Sequence, residues 1–268
     1  GHTAQGGPAM KGAAALAVGA AGFAYYHAQV PTSQLYGATI ARSPEARGLI
    51  ALTYDDGPNP RFTESLLSVL ERHGAHATFF LIGKWTEREP ALAREVQAAG
   101  HAIGNHTFTH PTLALCTSDR VQEELRRCRA AVEGAGVSFS EVDGAALMRP
   151  PWGRRRPGTL RAIRAAGYVP VTWSVTGWDW RKRETADTIA DRCSKAQDGD
   201  EILLHDGVHT EPAGDRAASV GATDKILGRL TAKGYRFVTV PELVAAGSAA
   251  RDGSGATPPR TAQPPRPA

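Results

Sequence analysis

The sequence predicts an α/β protein with a parallel sheet, folded either as a barrel or as a doubly wound sheet. Between about Gly48 and Ala246, short apolar runs typical of strands alternate with longer segments of helical periodicity. Repeated strand–helix units favour a parallel sheet, because each helix returns the chain to the edge where the next strand begins. Several helical segments end in a glycine, as helix C-termini prefer: Gly74, Gly100, Gly134, Gly167 and Gly234.

The predicted elements follow one another in a regular order. The strand-like runs are Leu49–Tyr54, Ala77–Ile82, His101–Asn105, Val169–Val175, Glu201–His205 and Phe237–Val240. The helix-like segments are Phe62–His73, Glu87–Ala99, Ser118–Glu133, Thr159–Ala166, Thr185–Ala196 and Thr223–Lys233. In a (β/α) barrel the functional side chains lie at the carboxyl ends of the strands, and the polar motifs described below follow strand-like runs.

Composition limits the class of protein. A chain of 268 residues is long enough for one large α/β domain or two small ones. The formal net charge of +4 is small for that length, so we predict no nucleic-acid partner. The three cysteines lack the spacing of a metal site, although an exported protein could pair two of them: Cys116, Cys128 and Cys193.

The two ends of the chain differ from its centre. Lys11 precedes an alanine-rich apolar run, Gly12–Ala24, which is the plan of a signal peptide or a short anchor. The alternative is an alanine-rich helix packed on the domain. We expect Lys11–Val30 to direct export or to contact the membrane, so that the protein is secreted or membrane-anchored. We therefore divide the chain into residues 1–47 (signal- or anchor-like segment and linker), 48–246 (folded catalytic domain) and 247–268 (disordered Pro-rich tail).

The first motif is Thr53-Tyr54-Asp55-Asp56-Gly57-Pro58, which follows the strand-like run Leu49–Tyr54 and ends in a Gly-Pro breaker. Adjacent side chains on a strand point to opposite sides, but a turn lets both carboxylates face one cavity. Two like charges there need a cation or a proton to separate their roles. The same residue types are common in ordinary surface turns, so the later motifs decide between the two interpretations.

The second motif is Asn105-His106-Thr107-Phe108-Thr109-His110-Pro111. Histidines four residues apart lie on one face of a helical turn, so we expect His106 and His110 to share one metal ion. With one carboxylate of the Asp pair they make three protein ligands and leave an open position, as in a catalytic zinc site. Four other histidines have no such partners, and we interpret them as structural or solvent-facing: His73, His76, His101 and His209.

Three further motifs follow later strand-like runs or loops. Arg149, in Arg149-Pro150-Pro151-Trp152, can hold a carboxylate in a fork. Trp178 and Trp180 flank Asp179 and suggest a wall on which a sugar stacks, although clustered tryptophans are also common in cores. The run Glu201–His205 ends in a histidine, where a general acid could stand.

Taken together, these motifs resemble those of the polysaccharide deacetylases, the NodB homology domain of carbohydrate esterase family four. The resemblance extends from about Leu49 to Val244 and rests on five motifs in the family's order. They are Thr53-Tyr54-Asp55-Asp56-Gly57-Pro58, His106-Thr107-Phe108-Thr109-His110, Arg149-Pro150-Pro151-Trp152, Asp179-Trp180 and Leu203-Leu204-His205.

The resemblance implies a distorted (β/α) barrel and a metal-dependent hydrolase that removes acetyl groups. It implies Asp55 as the general base and one divalent metal ion, with zinc expected and cobalt or nickel as alternatives. The implied metal ligands are Asp56, His106 and His110. The other implied roles are Arg149 to orient Asp55, the Trp152 N–H to hold the oxyanion, His205 as general acid tuned by Asp179, and Pro151, Trp152, Trp180 and Leu203 to line the substrate site.

Two departures from the family pattern bear on the substrate. Tyr54 replaces the usual Phe of the first motif, and Thr176 stands where the fourth motif, D-x-x-D-W, usually begins. Trp178 fills a position that is often polar and would narrow the groove. These changes leave the implied metal ligands intact.

Other interpretations remain open. Two histidines and one carboxylate also form the facial triad of non-haem iron oxygenases, but that chemistry leaves Asp55 and His205 without a role. A binding module could keep the aromatic wall without turnover. The same fold could act on O-acetyl groups of xylan-like glycans, or on an amide or imide of a small molecule. We predict N-acetylated amino sugars in peptidoglycan or chitin-type oligomers, because a general acid at His205 matters more for an amine leaving group than for an alkoxide.

Overall fold

Parallel strands form the centre of the structure, a computed structural model that describes residue 19 and residues 21–253. The strands are β1 (Leu49–Asp55), β2 (Thr78–Leu81), β3 (Ala102–Asn105), β4 (Glu141–Val142), β5 (Ala145–Met148), β6 (Tyr168–Pro170), β7 (Val175–Thr176), β8 (Glu201–His205) and β9 (Arg236–Val238). The helices are α1 (residues 21–29), α2 (Phe62–Arg72), α3 (Gly83–Thr86), α4 (Pro90–Ala98), α5 (Ser118–Gly134), α6 (Pro157–Ala165), α7 (Ala186–Cys193), α8 (Ala217–Ala232) and α9 (Val240–Arg251).

The strands follow the order β6-β5-β3-β2-β1-β8-β7, and every neighbouring pair in this series is parallel. Strand β9 also pairs in parallel with β1, whereas β4 pairs antiparallel with β5. Near β6, Ile40 forms a bridge with Val171, so residues N-terminal to β1 complete this side of the sheet. The predicted parallel α/β architecture is confirmed as a distorted (β/α) barrel.

The alternation of side chains along β1 aims the first motif into the barrel. Ile50 and Tyr54 pack outward in the apolar core shared with the surrounding helices. Leu49 and Ala51 belong instead to an inner apolar cluster. Because strand side chains alternate with a period of two, Asp55 shares the inner face with Leu49 and Ala51. The strand therefore delivers Asp55 to the carboxyl end of the barrel interior.

Helix α9 packs at the opposite end of the barrel. Val240 and Leu243 on this helix join the inner apolar cluster. The helix continues to Arg251, so the predicted start of the tail at Gly247 was wrong. Gly247 approaches Ser43 so closely that a Cβ there would lie 1.9 Å from the Ser43 hydroxyl oxygen. This packing extends the folded domain past the point where the composition changes; residues 254–268 lie outside the described residues.

Part of the predicted N-terminal linker also belongs to the domain. Residues Ala41, Ser43 and Ala46 are buried. The guanidinium of Arg155 donates to the backbone carbonyls of Val30, Pro31 and Ser33. The predicted boundary at residue 47 is therefore too late. Residues 11–18 and 20 of the predicted export segment lie outside the described part of the chain. Among the described residues, no helix has both the length and the apolar character needed to cross a membrane.

Several predicted elements differ in detail from those observed. The run Val169–Val175 forms two strands, β6 and β7, because Pro170 cannot donate to a sheet and the Thr172 N–H bonds to Ile40 instead. Helix α8 begins at Ala217 rather than at Thr223. Strands β4 and β5 and helices α3 and α9 were missed. All three cysteines are free, so the pairing considered above does not form.

Candidate active site

The two adjacent carboxylates of the first motif face one buried site at the end of β1. Both Asp55 and Asp56 are 3% exposed. Asp56 has a positive φ of 75°, a conformation that is uncommon outside glycine. This turn brings the second carboxylate to the same side as the first, which strand alternation alone would forbid. The two carboxylates then have different partners.

Asp55 is held by an arginine that lies inside the barrel. Arg149 is fully buried, and its Nη1 donates to Asp55 Oδ1 at 2.8 Å and to Thr53 Oγ1 at 2.7 Å. Its Nη2 donates to the carbonyl of Thr172 at 2.7 Å. Three fixed acceptors orient the guanidinium, so the Asp55 carboxylate is also fixed. This arrangement matches the predicted orienting role of Arg149.

A second buried acid lies below the same arginine. Glu201 Oε2 is 3.6 Å from Arg149 Nη2, and both carboxyl oxygens of Glu201 lack a hydrogen-bond partner among the described residues. Burial raises the pKa of Glu201 to about 8, although the charge of Arg149 acts in the opposite direction. Glu201 is therefore mainly protonated at neutral pH, which leaves the positive charge of Arg149 to pair with Asp55.

Asp56 lies against the two histidines of the second motif. Its Oδ1 is 3.5 Å from His106 Nε2 and 3.2 Å from His110 Nε2. The three ligand atoms lie within 4.8 Å of one another, and all three residues are buried. Asp55 Oδ2 is 3.7 Å from His106 Nε2 and does not belong to this group. The structure thus separates one triad of ligands from one spare carboxylate.

The loop that carries the histidines is not the helical turn predicted from their spacing. Residues 106–110 form no helix, and Thr107 and His110 have positive φ values of 67° and 62°. Buried Glu124 on α5 holds the loop by accepting hydrogen bonds from the backbone N–H groups of Phe108 and Thr109. Both imidazoles still face Asp56. The positive φ values and the hydrogen bonds to Glu124, rather than a helical turn, give the loop this shape.

The triad has the properties of a divalent-metal site. Asp56 Oδ1 is buried without a hydrogen-bond partner among the described residues, which is costly unless a cation binds it. Burial favours the neutral carboxyl, but His106 and His209 outweigh it and hold the pKa of Asp56 well below its usual range. Burial lowers the pKa of His110 to about 3, so this ring is neutral and its lone pair is free to bind.

His106 is fixed in the tautomer that a ligand needs. Its Nδ1 lies 2.8 Å from the carbonyl oxygen of Arg149. A carbonyl can only accept, so Nδ1 carries the proton and Nε2 offers its lone pair toward Asp56. One carboxylate and two neutral imidazoles fit a divalent cation with an open position.

A histidine–aspartate pair stands at the end of β8. His205 Nδ1 is 2.9 Å from Asp179 Oδ1, and Asp179 Oδ2 accepts hydrogen bonds from the His205 N–H and from Ser219. Burial disfavours the charged ring, but the charge and hydrogen bond of Asp179 outweigh it and raise the pKa of His205. The Asp179 contact leaves His205 Nε2 as the nitrogen that is free to exchange a proton.

These groups surround one cavity of about 380 Å³. Three tryptophans, one leucine, one valine and seven polar residues line it: Trp152, Trp173, Trp180, Leu203, Val208, Asp55, Asp56, His106, His110, His205, His209 and Arg216. Trp180 packs against His205 with ring centroids 5.3 Å apart. Trp152 contacts His110 at 5.2 Å. The predicted substrate-lining residues Trp152, Trp180 and Leu203 are therefore in the cavity, whereas Pro151 is buried beside Trp152 outside the lining.

Two sequence-based assignments were wrong. Trp178 does not line the cavity; it turns away with a φ of 54°, and Arg181 packs on its ring at 4.1 Å. Trp173, from the end of the predicted strand Val169–Val175, lines the cavity in its place. His209, interpreted as structural or solvent-facing, lies in the site and stacks on His110 with ring centroids 4.3 Å apart. Nothing in the spacing of either residue signals this position.

Comparison with known proteins identifies the family. Residues 42–171 match the family model described as polysaccharide deacetylase. The chain is 35% identical over 206 residues to a peptidoglycan-N-acetylglucosamine deacetylase of Bacillus cereus, an alignment that covers 75% of this chain and 90% of that protein. It is 33% identical over 210 residues to a chitooligosaccharide deacetylase of Azorhizobium caulinodans, covering 75% and 97%.

A solved structure gives the same answer. It is a peptidoglycan N-acetylglucosamine deacetylase in complex with 4-naphthalen-1-yl-N-oxidanyl-benzamide. The two sequences are 33% identical, and the structural alignment has a TM-score of 0.69 and covers 77% of this chain and 92% of that one. The barrel and its polar cavity thus define a hydrolase of the deacetylase type. The chain belongs to the polysaccharide deacetylase family, which confirms the resemblance found in the sequence.

Proposed function

We propose that this protein is a metal-dependent deacetylase that hydrolyses the N-acetyl groups of amino sugars in a glycan, either peptidoglycan or a chitin-type oligomer. One observation carries the proposal. The cavity holds a spare carboxylate, Asp55, fixed by Arg149, and a histidine, His205, whose pKa is raised by Asp179. A base and an acid beside a three-ligand metal triad are what amide hydrolysis needs.

The residues divide the steps of the reaction. Asp55 accepts a proton from the water that attacks the acetyl carbonyl carbon. The backbone N–H of Trp152 donates to the oxygen on which negative charge develops. His205 then gives its proton to the sugar nitrogen as the C–N bond breaks, so that acetate and an amine leave. A divalent cation held by Asp56, His106 and His110 would polarise the carbonyl and make the attacking water more acidic.

We expect zinc to be the native ion, with cobalt or nickel as functional substitutes. Two imidazole nitrogens and one carboxylate oxygen are a ligand set that zinc accepts in catalytic sites. Metal content of the protein isolated from its natural host, measured by elemental analysis, tests this choice. A dominant ion of another kind, such as iron, would reject it and would favour the oxygenase interpretation.

The site favours an amide substrate with a sugar ring. An amine leaving group requires protonation, which gives His205 a necessary role. Trp152 and Trp180 are 48% and 45% exposed and present apolar ring surface at the cavity, against which the C–H face of a sugar can pack. The two relatives described above are a peptidoglycan-N-acetylglucosamine deacetylase and a chitooligosaccharide deacetylase. Trp178 does not narrow the cavity, so the structure gives no reason to restrict the ligand to one sugar.

Acetate release from a substrate panel tests the proposed function. We expect the highest kcat/KM on N-acetylglucosamine oligomers or peptidoglycan fragments, and a lower value on acetylxylan. A clear preference for acetylxylan would support the O-acetyl esterase alternative. Activity on a small non-sugar amide alone would support the amide or imide hydrolase. No acetate release from any substrate by the metal-loaded protein would support a binding module.

The pH profile should depend on Asp179. The acid must be protonated, so activity falls as pH rises through the pKa of His205. Replacement of Asp179 by Asn removes the charge that raises this pKa, and the alkaline limb of the kcat profile should therefore move to lower pH. Ser219→Ala removes a neutral hydrogen bond to the same carboxylate and should move that limb less. An unchanged alkaline limb in Asp179→Asn would contradict the assignment of His205 as the acid.

We also propose that the protein works outside the cytoplasm, either secreted or anchored to the membrane. The apolar run after Lys11 and the glycan substrate support this proposal. The buried guanidinium of Arg155 donates to four backbone carbonyls, and processing that removed residues 30, 31 and 33 would leave it only that of Gly153. Cell fractionation combined with the N-terminal sequence of the natural protein tests both points. An unprocessed, wholly cytosolic protein would reject the extracytoplasmic location.

A further inference from the structure

A fourth histidine lies against the metal-ligand triad, and the mechanism above does not use it. The imidazole of His209 stacks on that of His110, with ring centroids 4.3 Å and planes 23° apart. Its Nδ1 is 3.7 Å from Asp56 Oδ2, while the other carboxylate oxygen faces the two ligand histidines. We propose that His209 is a positioning residue that supports two of the three ligands and raises the affinity of the site for its metal.

The two ligand histidines are supported unequally. His106 donates through Nδ1 to the carbonyl of Arg149 at 2.8 Å. The Nδ1 of His110 is buried and has no hydrogen-bond partner within the described part of the chain. A metal-binding imidazole is normally oriented by a hydrogen bond from its second nitrogen. At His110 ring packing takes that place, with His209 stacked on one face and Trp152 in edge contact at 5.2 Å.

The loop that carries His209 is held close to the site. Lys84 Nζ donates to the His209 carbonyl at 2.6 Å, and Arg216 Nε donates to the Gly207 carbonyl at 2.7 Å. A Cβ on Gly207 would lie 2.1 Å from the Asp56 carbonyl oxygen, so only glycine permits this approach. The His209 side chain is 29% exposed and remains partly covered. Its ring is therefore placed against the ligands by backbone contacts that do not involve a metal.

If His209 supports the ligands, its removal should lower the affinity of the protein for the metal, and this can be measured without any substrate. The experiment titrates the metal-free full-length protein with Co²⁺ in the presence of a competing chelator and records the visible absorption of the bound ion. His209→Ala removes both contacts, and we expect its apparent Kd to rise about 10- to 100-fold, the loss typical of removing a partner of a metal ligand. We also expect altered Co²⁺ bands, because the orientation of His110 sets part of the ligand field.

Two more variants separate the contacts. His209→Phe keeps an aromatic ring on His110 and removes the nitrogen near Asp56. It should recover most of the affinity, because the ring stacks directly on a ligand whereas Nδ1, 3.7 Å from Asp56 Oδ2, is beyond hydrogen-bond distance. His209→Gln keeps polarity without a ring and should bind nearly as weakly as His209→Ala. The reverse order, with Gln strong and Phe weak, would still support positioning but through Asp56 alone. Equal, parent-like affinity in all three variants would overturn the proposal.

Controls distinguish this proposal from the proposed function on which it rests. His73→Ala removes a histidine that pairs with Asp224 away from the cavity, and it should bind Co²⁺ like the parent. Parent-like melting temperatures of the metal-free variants would show that they fold. If metal-free His209→Ala unfolds, the other two variants decide: an affinity of His209→Phe well above that of His209→Gln supports the stacking role, and parent-like affinity in both overturns the proposal. A parent protein that binds no divalent metal would instead overturn the metal-dependent function itself.

Discussion

Replacement of Asp55 by Asn should lower kcat by about 10²- to 10⁴-fold while the metal stays bound, since general base catalysis contributes in that range. Asn has nearly the same shape, and its amide oxygen can still accept the hydrogen bond that Arg149 Nη1 now donates to Asp55 Oδ1 at 2.8 Å. The amide cannot accept the proton of the attacking water. The measurement is acetate release on the best substrate of the panel, with metal content determined on the same sample.

The same Asp-to-Asn change at a position outside the cavity serves as the control. Asp198→Asn alters a carboxylate that pairs with Arg47 at the surface and does not line the cavity, so it should retain the parent's kcat and metal content. Near-normal turnover in Asp55→Asn would reject Asp55 as the base. Loss of the metal from Asp55→Asn would instead make Asp55 a ligand and would contradict its separation from the triad.

The sequence predicts the placement of the site well where a motif follows a strand that was itself predicted. Asp55, His106 and His205 each stand at or directly after a strand that was predicted within one or two residues of its observed bounds. Because parallel strands end at the same edge, side chains far apart in sequence must converge there. The order of the motifs and the alternation along β1 therefore suffice to assemble these groups. The position of Arg149 came from the family resemblance, since its strand β5 was not predicted.

Loop conformation is the part that local patterns did not reveal. The histidine spacing suggested a helical turn, but positive φ values at Thr107 and His110 give a different loop. In this loop His106 and His110 still both face Asp56. Trp178 and Trp173 are both bulky and near a strand end. A left-handed backbone at Trp178 turns its ring outward, while Trp173 reaches the cavity. The spacing of the tryptophans does not tell which ring faces the cavity, because the backbone φ at these positions is set by tertiary contacts.

Buried acids were missed for a related reason. Glu124 lies on α5 among charged residues, a pattern typical of a solvent-exposed helix face. It is nevertheless fully buried and accepts hydrogen bonds from the loop that carries His106 and His110. Glu201 begins β8 beneath Arg149, and its pKa of about 8 depends on burial in the barrel. The backbone N–H groups of Phe108 and Thr109 that Glu124 binds, and the Arg149 side chain near Glu201, come from other elements. A local pattern describes one element at a time and therefore cannot report tertiary pairing.

Replacement of His110 by Ala should abolish metal binding at micromolar metal, and with it nearly all activity. The substitution removes one of three protein ligands, and Asp56 and His106 alone make an incomplete site. Its effect on affinity should exceed the roughly 10- to 100-fold loss expected from removing a supporting partner such as His209. The measurement is metal content after dialysis, together with a Co²⁺ titration of the metal-free protein.

Asp55→Asn and His73→Ala provide the comparison for that loss. Asp55→Asn should keep the metal and lose turnover, whereas His110→Ala should lose both, and His73→Ala should lose neither. Added zinc or cobalt at millimolar concentration should restore part of the activity of His110→Ala if the remaining two ligands still bind weakly. Full metal occupancy in His110→Ala at micromolar metal would show that the ion is held elsewhere. That result would remove the triad of Asp56, His106 and His110 from the mechanism, because no other group of three such ligands occurs within the described residues.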